Sequence, residues 1–476
     1  MPGSLHEECG VFGIYSNTPG SNVAAQTYFA LYALQHRGQE SCGIAVCNEG
    51  VIQYHSDIGL VPEVFSKEAL EKLEPGNMAV GHVRYSTMGH KSRANAQPLV
   101  VRHIKGAMAL AHNGSLTNAA DLREKLEMDG AIFHSTNDTE IILHIITKTR
   151  IRTTSIEAAV EEAMNEIEGA YSLVIMSPSK LIAARDPHGF RPLCMGSLDG
   201  DIVFASESCA LDSIGAVFVR EVEPGEIVVV DKDGTHSIKT HCGGSGNMCV
   251  FEFIYFARPD SVIAGASVHI ARLRAGSFLA LEHPVQADVV IGVPDSGLDA
   301  ALGFSRQSGI PYGVGFIKNR YIGRTFIQPS QEERDRSVRI KLNTIEATIK
   351  NKRVVLIDDS IVRGTTTGRI VRLVREAGAK EVHVRISSPP FVNPCYFGTD
   401  ISSRDYLIAC RMNVNEIRYH IQADTLGYLS TDNVTKLAEG AKCGFCDGCF
   451  TGKYPVPEPA SVPKNRFEHK IGEIAD

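Results

Sequence analysis

From residue 9 to about 235 the chain alternates short apolar runs with polar turns. CGVFGIY (9–15), SCGIAVC (41–47), MAVGHVRYS (78–86), AMALAHNGSL (107–116), YSLVIMS (171–177) and DIVFASES (201–208) are rich in Val, Ile and Ala and bounded by Gly, Asn or Asp, as strands are. Helical spacing intervenes at 22–36, with Leu31 and Leu34 on one face, at 117–128, and at 138–149, where Ile141, Ile142, His144, Ile145 and Ile146 recur. That mixture predicts sheets covered by helices.

After the Gly-rich joint GGSGN (243–247) the pattern changes. VVIGV (289–293), VVLIDD (354–359) and VHVRISS (382–388) read as short apolar strands, each followed by a Gly or Asp loop and a helix. Strands without a polar face are buried on both sides, which predicts a parallel sheet. From 451 onward, Pro455, Pro457, Pro459 and Pro463 space a polar tail expected to be irregular. The expected fold is α/β, with an α+β N-terminal domain over 9–240, a parallel α/β domain over 250–450, and a tail over 451–476.

Composition bears on compartment and partners. The 476 residues are 43 % hydrophobic and 22 % charged with a formal net charge of −7, an ordinary globular balance with length for several self-sufficient cores. Such mild acidity argues against a nucleic-acid-wrapping protein. No run approaches the roughly 18 apolar residues of a membrane span, and MPGSLHEECG has neither the basic nor the apolar region of a secretory signal. The expectation is a cytoplasmic protein with no nucleic-acid or membrane partner. Twelve cysteines in a reducing compartment then point to ligands or a nucleophile rather than to disulfides.

Cys9 opens a strand directly. LQHRGQES (34–41), HVRYST (82–87), HNGSL (112–116) and NDTE (137–140) each set polar residues or glycine at a strand end or helix start, where side chains converge on a pocket. Singly, a cysteine is more often a small buried hydrophobe, and Asn-Gly more often a hairpin turn. Together at this spacing they resemble the class II glutamine amidotransferases, whose catalytic domain is a four-layer N-terminal nucleophile hydrolase sandwich. The resemblance implies that residues 1–8 are a leader cleaved between Glu8 and Cys9. Cys9 is then the nucleophile and its new α-amine, with an ordinary pKa of roughly 8, the general base. It further implies that Arg84 holds the glutamine α-carboxylate, that Asp138 pairs with the α-ammonium, and that Asn113 and Gly114 form the oxyanion hole.

VVLIDDSIVRGTTTGRIVRLVREAGAK (354–380) is a buried strand ended by two aspartates, then a Gly/Thr loop and a helix with Ile370, Leu373, Val374 and Ala377 on its apolar face. It lacks the glycine pattern of a dinucleotide fold and the Gly-Lys-Ser/Thr of a P-loop. It resembles the signature of type I phosphoribosyltransferases. In that resemblance Asp358 and Asp359 contact the ribose hydroxyls directly or through Mg²⁺, one ion per subunit. Arg363, Gly364, Thr365, Thr366 and Thr367 cradle the 5′-phosphate at a helix N-terminus. VPDSG (293–297) becomes the pyrophosphate loop, with Ser296 a further Mg²⁺ contact. KNRYIGRTFIQPSQEERDRSVRIKLN (318–343) reads alone as a solvated loop. The family uses this stretch as a flap over bound phosphoribosyl pyrophosphate that helps form an ammonia passage, with Lys318, Tyr321, Arg324 and Lys341 as phosphate or flap contacts.

KCGFCDGCFTGKYP (442–455) places Cys443, Cys446 and Cys449 in a CxxCxxC series, which suits Zn²⁺ or an iron–sulfur cluster with a fourth ligand from elsewhere. The full-length resemblance is to the glutamine phosphoribosylpyrophosphate amidotransferases, and within them to the leader-processed, iron–sulfur subgroup. It implies one [4Fe–4S] cluster per subunit on Cys249, Cys395, Cys446 and Cys449, with zinc the runner-up and Cys443 the departure from pattern. It also implies ammonia transfer from glutamine to phosphoribosyl pyrophosphate in de novo purine synthesis, inhibition by purine nucleotides, and a homo-oligomer, a tetramer. A glucosamine phosphate synthase would lack VVLIDDSIVRGTTT, a salvage phosphoribosyltransferase has no use for Cys9, Arg84 and Asp138, and a metal- or oxygen-sensing regulator would tolerate loss of the nucleophile.

Overall fold

A computed structural model describes residues 9–18, 20–85, 92–319, 342–399, 401 and 403–459. The expected leader, Ser86 and Thr87, the flap residues Tyr321, Arg324 and Lys341, and the chain from 460 lie outside the described residues.

Two antiparallel sheets face each other in the N-terminal half. The first has seven strands in the order Val217–Glu221, Cys194–Leu198, Asp201–Ala205, Gly10–Tyr15, Met78–Arg84, Ser41–Asn48 and Val51–Ile58. The second has six, in the order Gly234–Ile238, Ile227–Asp231, Leu181–Arg185, Gly169–Met176, Gly106–Leu116 and Leu99–His103. Side chains alternate across a strand, and here both sides are apolar. Val11, Met78 and Val80 meet Ala109, Ala111, Val174 and Met176 between the sheets. Their neighbours Phe12, Ile14, Ala79 and Val83 pack outward on the helices Val23–Ala33 and Ser208–Ile214. On the other flank Met108, Leu110, Leu173 and Ile175 pack under Ala119–Met128, Asp138–Arg152 and Ile156–Ala163. Three apolar layers thus separate four layers of secondary structure.

The C-terminal half carries a parallel sheet ordered Val289–Gly292, Arg353–Asp358, Glu381–Ile386 and Thr425–Tyr428. Helices Val268–Glu282, Gly297–Ser308, Thr365–Glu376 and Val414–His420 accompany it. The helix after the aspartate pair differs in detail from the pattern reading. It buries Thr367, Ile370, Val371 and Val374, while Leu373 and Ala377 are half-buried, because Val371 and not Leu373 faces the sheet.

The halves are joined by packing as well as by the chain. Phe190 stacks on Phe397 with ring centroids 4.2 Å apart, and Cys249 donates its backbone N–H to the Phe190 carbonyl at 3.1 Å. Asn247–Cys249 pairs in parallel with Gly444–Cys446, drawing the end of the chain back to the joint. No helix among the described residues is long and apolar enough to cross a membrane.

Candidate active sites

The first group of polar side chains gathers at one end of the two facing sheets. Gly10 pairs with Val83, so continuing the ladder one step sets Cys9 level with Arg84, and the Cys9 Sγ reaches the Tyr85 carbonyl at 3.5 Å. Arg84 ends its strand almost wholly buried, with Glu40 Oε2 at 3.8 Å. Asp138 begins a helix capped by the Asn137 side chain. Its Oδ2 accepts the Leu116 N–H at 2.9 Å, and its Oδ1 lies 3.6 Å from His112 Nδ1. Burial pushes the Asp138 carboxyl up, but His112, the Leu116 N–H and Arg84 outweigh it and hold the group below the usual carboxylate range. Arg84 and Asp138 thus present fixed opposite charges to one space, as the two ends of an α-amino acid require.

Asn113 and Gly114 do not form a turn. They lie inside a strand, opposite Ser172 and Tyr171. The Asn113 side chain is fully buried, yet neither its Nδ2 nor its Oδ1 has a hydrogen-bond partner among the described residues. Leaving a buried amide unsatisfied costs on the order of 1–3 kcal/mol, and a ligand oxygen at Nδ2 would remove part of that cost. Gly114 has φ +143°, and an added Cβ would lie 2.1 Å from the Ala170 carbonyl oxygen. Only glycine fits there.

Two participants were not singled out by sequence. Arg37, inside LQHRG, donates from Nε to the Cys9 carbonyl at 2.9 Å, and His112 orients Asp138. Arg37 is fully buried beside the glutamates Glu207 and Glu252. The only sequence trace was a charged residue between an apolar helix end and a glycine.

The second group lies beyond the carboxyl ends of the parallel strands, where such sheets bind ligands. Asp358 and Asp359 are both buried. Ser296, opening the neighbouring helix Gly297–Ser308, donates its hydroxyl to Asp359 Oδ1 at 2.6 Å. Burial raises both carboxyls, and Asp359 raises Asp358 further, so the pair is short of positive charge. Gly364, at φ +81°, turns the chain into Thr365–Glu376, whose first intrahelical bond runs from Gly368 N–H to the Gly364 carbonyl. The N–H groups of Thr365, Thr366 and Thr367 therefore precede the ladder at a positive helix end. Thr365 and Thr366 are exposed, while Thr367 is turned into the core. Arg363 lies over the Tyr406 ring at 4.7 Å. Lys318 reaches back to Asp295 in VPDSG.

Cys249, Cys395, Cys446 and Cys449 converge from three segments. Cys249 and Cys446 are paired across the short parallel ladder, and the Cys449 carbonyl accepts the Val392 and Asn393 N–H groups at 3.1 Å, drawing in the loop that carries Cys395. Burial pushes the thiol of Cys446 up to about 12 and those of Cys249 and Cys449 well up, and each pair among the four interacts electrostatically. The Cys443 thiol, also raised by burial, interacts instead with Arg185 and Glu221. Among the described residues no group of three or more His, Cys, Asp or Glu is placed to hold a single metal ion. Four thiols close together in apolar surroundings are nonetheless a donor set that suits a sulfur-ligated cluster, since cluster charge and iron ligation would stabilise the thiolates that burial disfavours.

Comparison with known proteins adds three findings. Residues 82–213 match the glutamine amidotransferase domain family and residues 268–387 the phosphoribosyl transferase domain family. The chain is 49 % identical over 465 residues to the amidophosphoribosyltransferase of Synechocystis sp., covering 97 % of this chain and 93 % of that protein. It is 49 % identical over 463 residues to the amidophosphoribosyltransferase of Methanocaldococcus jannaschii, covering 94 % and 98 %. It also matches the structure of the B. subtilis glutamine phosphoribosylpyrophosphate amidotransferase complexed with ADP and GMP with a TM-score of 0.86 at 46 % identity, over 94 % of this chain and 97 % of that one.

Proposed function

The chain belongs to the amidophosphoribosyltransferases, and from that premise we propose how its own residues divide the work. The reaction is glutamine-dependent amidotransfer to phosphoribosyl pyrophosphate in purine biosynthesis. In this reading Arg84 and Asp138 hold the two ends of glutamine, and the Cys9 thiolate attacks the side-chain amide carbon. The Asn113 Nδ2 and the Gly114 N–H receive the negative charge on the tetrahedral oxygen. Ammonia leaves, and water then releases glutamate from the thioester. The Cys9 α-amine, exposed by removal of residues 1–8, accepts and returns the proton. The ammonia passes internally, because neutral NH₃ is the nucleophile and in neutral water it would mostly protonate. Its nitrogen bonds to C1 of the ribose as the C1–O bond to pyrophosphate breaks, giving 5-phosphoribosylamine.

Asp358, Asp359 and Ser296 would hold Mg²⁺, which supplies charge neutralisation on the departing pyrophosphate. The helix start at Gly364 to Thr367, with Arg363, takes the 5′-phosphate, and Lys318 approaches the pyrophosphate loop. Cys249, Cys395, Cys446 and Cys449 would carry a [4Fe–4S] cluster that ties the joint to the C-terminus. Further parts of this reading are homotetramers in the cytoplasm and control by purine nucleotides; the ADP and GMP bound to the B. subtilis relative support the latter.

The observation that carries the reading is the fully buried Asn113 amide, without a hydrogen-bond partner among the described residues, in the strand whose His112 contacts Asp138. Replacing Cys9 by Ala tests it: glutamine-dependent pyrophosphate release should disappear while ammonia-dependent release persists. Survival of the glutamine reaction would overturn the mechanism. The intact mass of anaerobically purified protein tests removal of residues 1–8 separately.

A further inference from the structure

A set of charges sealed from water lies where the two halves meet. The side chains of Arg37, Arg191, Glu207 and Glu252 are all fully buried. Arg37 donates to Glu207 Oε1 at 2.7 Å and to both Glu252 oxygens at 2.9 Å. Arg191 donates to Glu252 Oε1 at 3.2 Å and to the Phe397 carbonyl at 2.9 Å. Glu207 also takes the Ser261 hydroxyl at 2.6 Å and the Arg258 N–H at 2.9 Å. Arg37, Arg191 and Glu207 come from the glutamine half, and Glu252, Arg258, Ser261 and Phe397 from the phosphoribosyl half. Burying ions costs several kcal/mol each, and an apolar contact of the same volume is often as stable. The arrangement is therefore better understood as fixing position than as adding stability.

What it fixes can be followed in both directions. Toward the glutamine site, the third Arg37 nitrogen, Nε, donates to the Cys9 carbonyl at 2.9 Å. Toward the other site, Glu252 begins the single π-helical turn Glu252–Phe256. The carbonyls of Phe253, Tyr255 and Ala257 all accept from the fully buried Arg272 guanidinium, at 3.0, 2.9 and 2.7 Å. Cys9, Arg37, Glu252, the π-turn and Arg272 thus form one contiguous series of contacts. A π-turn is an irregularity found mostly where function needs it.

We propose that Glu252 is a positioning residue for the glutamine half-reaction: it clamps the Arg37 guanidinium from across the boundary, so that the placement of Cys9 depends on the seated phosphoribosyl half. The inference rests on Cys9 as the nucleophile. A nucleophile displaced by a fraction of an ångström loses rate without losing substrate affinity, so the effect belongs in kcat.

The test uses the full chain with Glu252→Gln, Glu252→Asp and Arg272→Lys. For Glu252→Gln the glutamine-dependent kcat should fall about tenfold or more with KM for glutamine nearly unchanged, and ammonia-dependent turnover should stay near that of the parent. Glu252→Asp, which keeps the charge on a shorter side chain, should recover part of the loss. Arg272→Lys, whose single ammonium cannot span the three carbonyls of the turn that carries Glu252, should lower glutamine-dependent kcat in the same direction while sparing ammonia-dependent turnover, and it reads the clamp even if Glu252→Gln fails to fold. Unchanged glutamine kinetics in both variants overturn the proposal, as does a parallel fall of glutamine and ammonia activities, which would mark a structural role alone. Cys9→Ala run alongside separates the premises: glutamine turnover that survives it sinks the nucleophile assignment, whatever Glu252 does.

Discussion

Ser296 donates its hydroxyl to Asp359 Oδ1 at 2.6 Å across 63 positions of sequence. Their loops follow neighbouring parallel strands, Val289–Gly292 and Arg353–Asp358, so the bond closes one cup from two separate motifs. Asp358 shares that cup, and the two buried carboxylates repel each other.

The repulsion predicts an exchange of stability for function. Asp358→Asn should leave the ligand-free protein at least as heat-stable as the parent, because a buried carboxyl whose ionised form is disfavoured by burial and by Asp359 is replaced by a neutral amide. The same variant should lose amidotransfer from glutamine and from ammonia by about a hundredfold or more, as expected when a group aimed at developing charge is removed. Adding Mg²⁺ with phosphoribosyl pyrophosphate should raise the melting temperature of the parent and not of the variant. A large drop in the ligand-free melting temperature would show that the pair is structural.

Asn113 predicts a similar divergence in the other site. Since neither side-chain polar atom has a partner among the described residues, Asn113→Ala removes no hydrogen bond to them and should shift the melting temperature little. Glutamine-dependent kcat should nevertheless fall by roughly 10²–10³, the usual consequence of losing one oxyanion donor, with ammonia-dependent turnover preserved. Gly114→Ala should behave differently and destabilise, because its Cβ has nowhere to go. A variant at Asn113 that loses stability but keeps glutamine turnover would remove it from the site.

The cysteines divide by position and give a third prediction. Cys249→Ser, Cys395→Ser, Cys446→Ser and Cys449→Ser should each abolish bound iron and sulfide, while Cys443→Ser should retain them, since its thiol faces Arg185 and Glu221 and not the other four. Iron and labile sulfide per chain, assayed anaerobically, decide it. Zinc in place of iron, or loss of the cluster in Cys443→Ser, would overturn the assignment.

Much of this is legible in the sequence, and the reasons are local. A strand apolar on both faces announces itself, so 289–293, 354–359 and 382–388 are readable, whereas Gly114 lies inside the strand Gly106–Leu116 and not at its end. What escaped were relations between distant residues. Leu373 and Val371 are both apolar, and only the sheet decides which faces it. Arg37 looks in sequence like any charged residue after a helix, and its meaning comes from Glu207 and Glu252, 170 and 215 positions away. Buried ion pairs are almost invisible to sequence reading, because each charged residue taken alone is expected at the surface.

His82 supplies a prediction in pH. It is fully buried in the strand Met78–Arg84, and its Nε2 lies 2.9 Å from the His112 carbonyl oxygen, so the ring is the neutral donor. Burial, helped by Arg84 and His112 and only partly opposed by that carbonyl, depresses its pKa to about 3. An unfolded histidine titrates near 6.5, so below that value the unfolded chain binds a proton that the folded chain refuses. The stabilising contribution is therefore complete above about pH 6.5 and is lost as pH falls toward about 3, at up to about 1.4 kcal/mol per pH unit. His82→Gln keeps a donor for the His112 carbonyl and cannot titrate. Its melting temperature should fall less between pH 7 and pH 5 than that of the parent; an equal fall in the two proteins would show that His82 does not contribute to the acid sensitivity of the glutamine half.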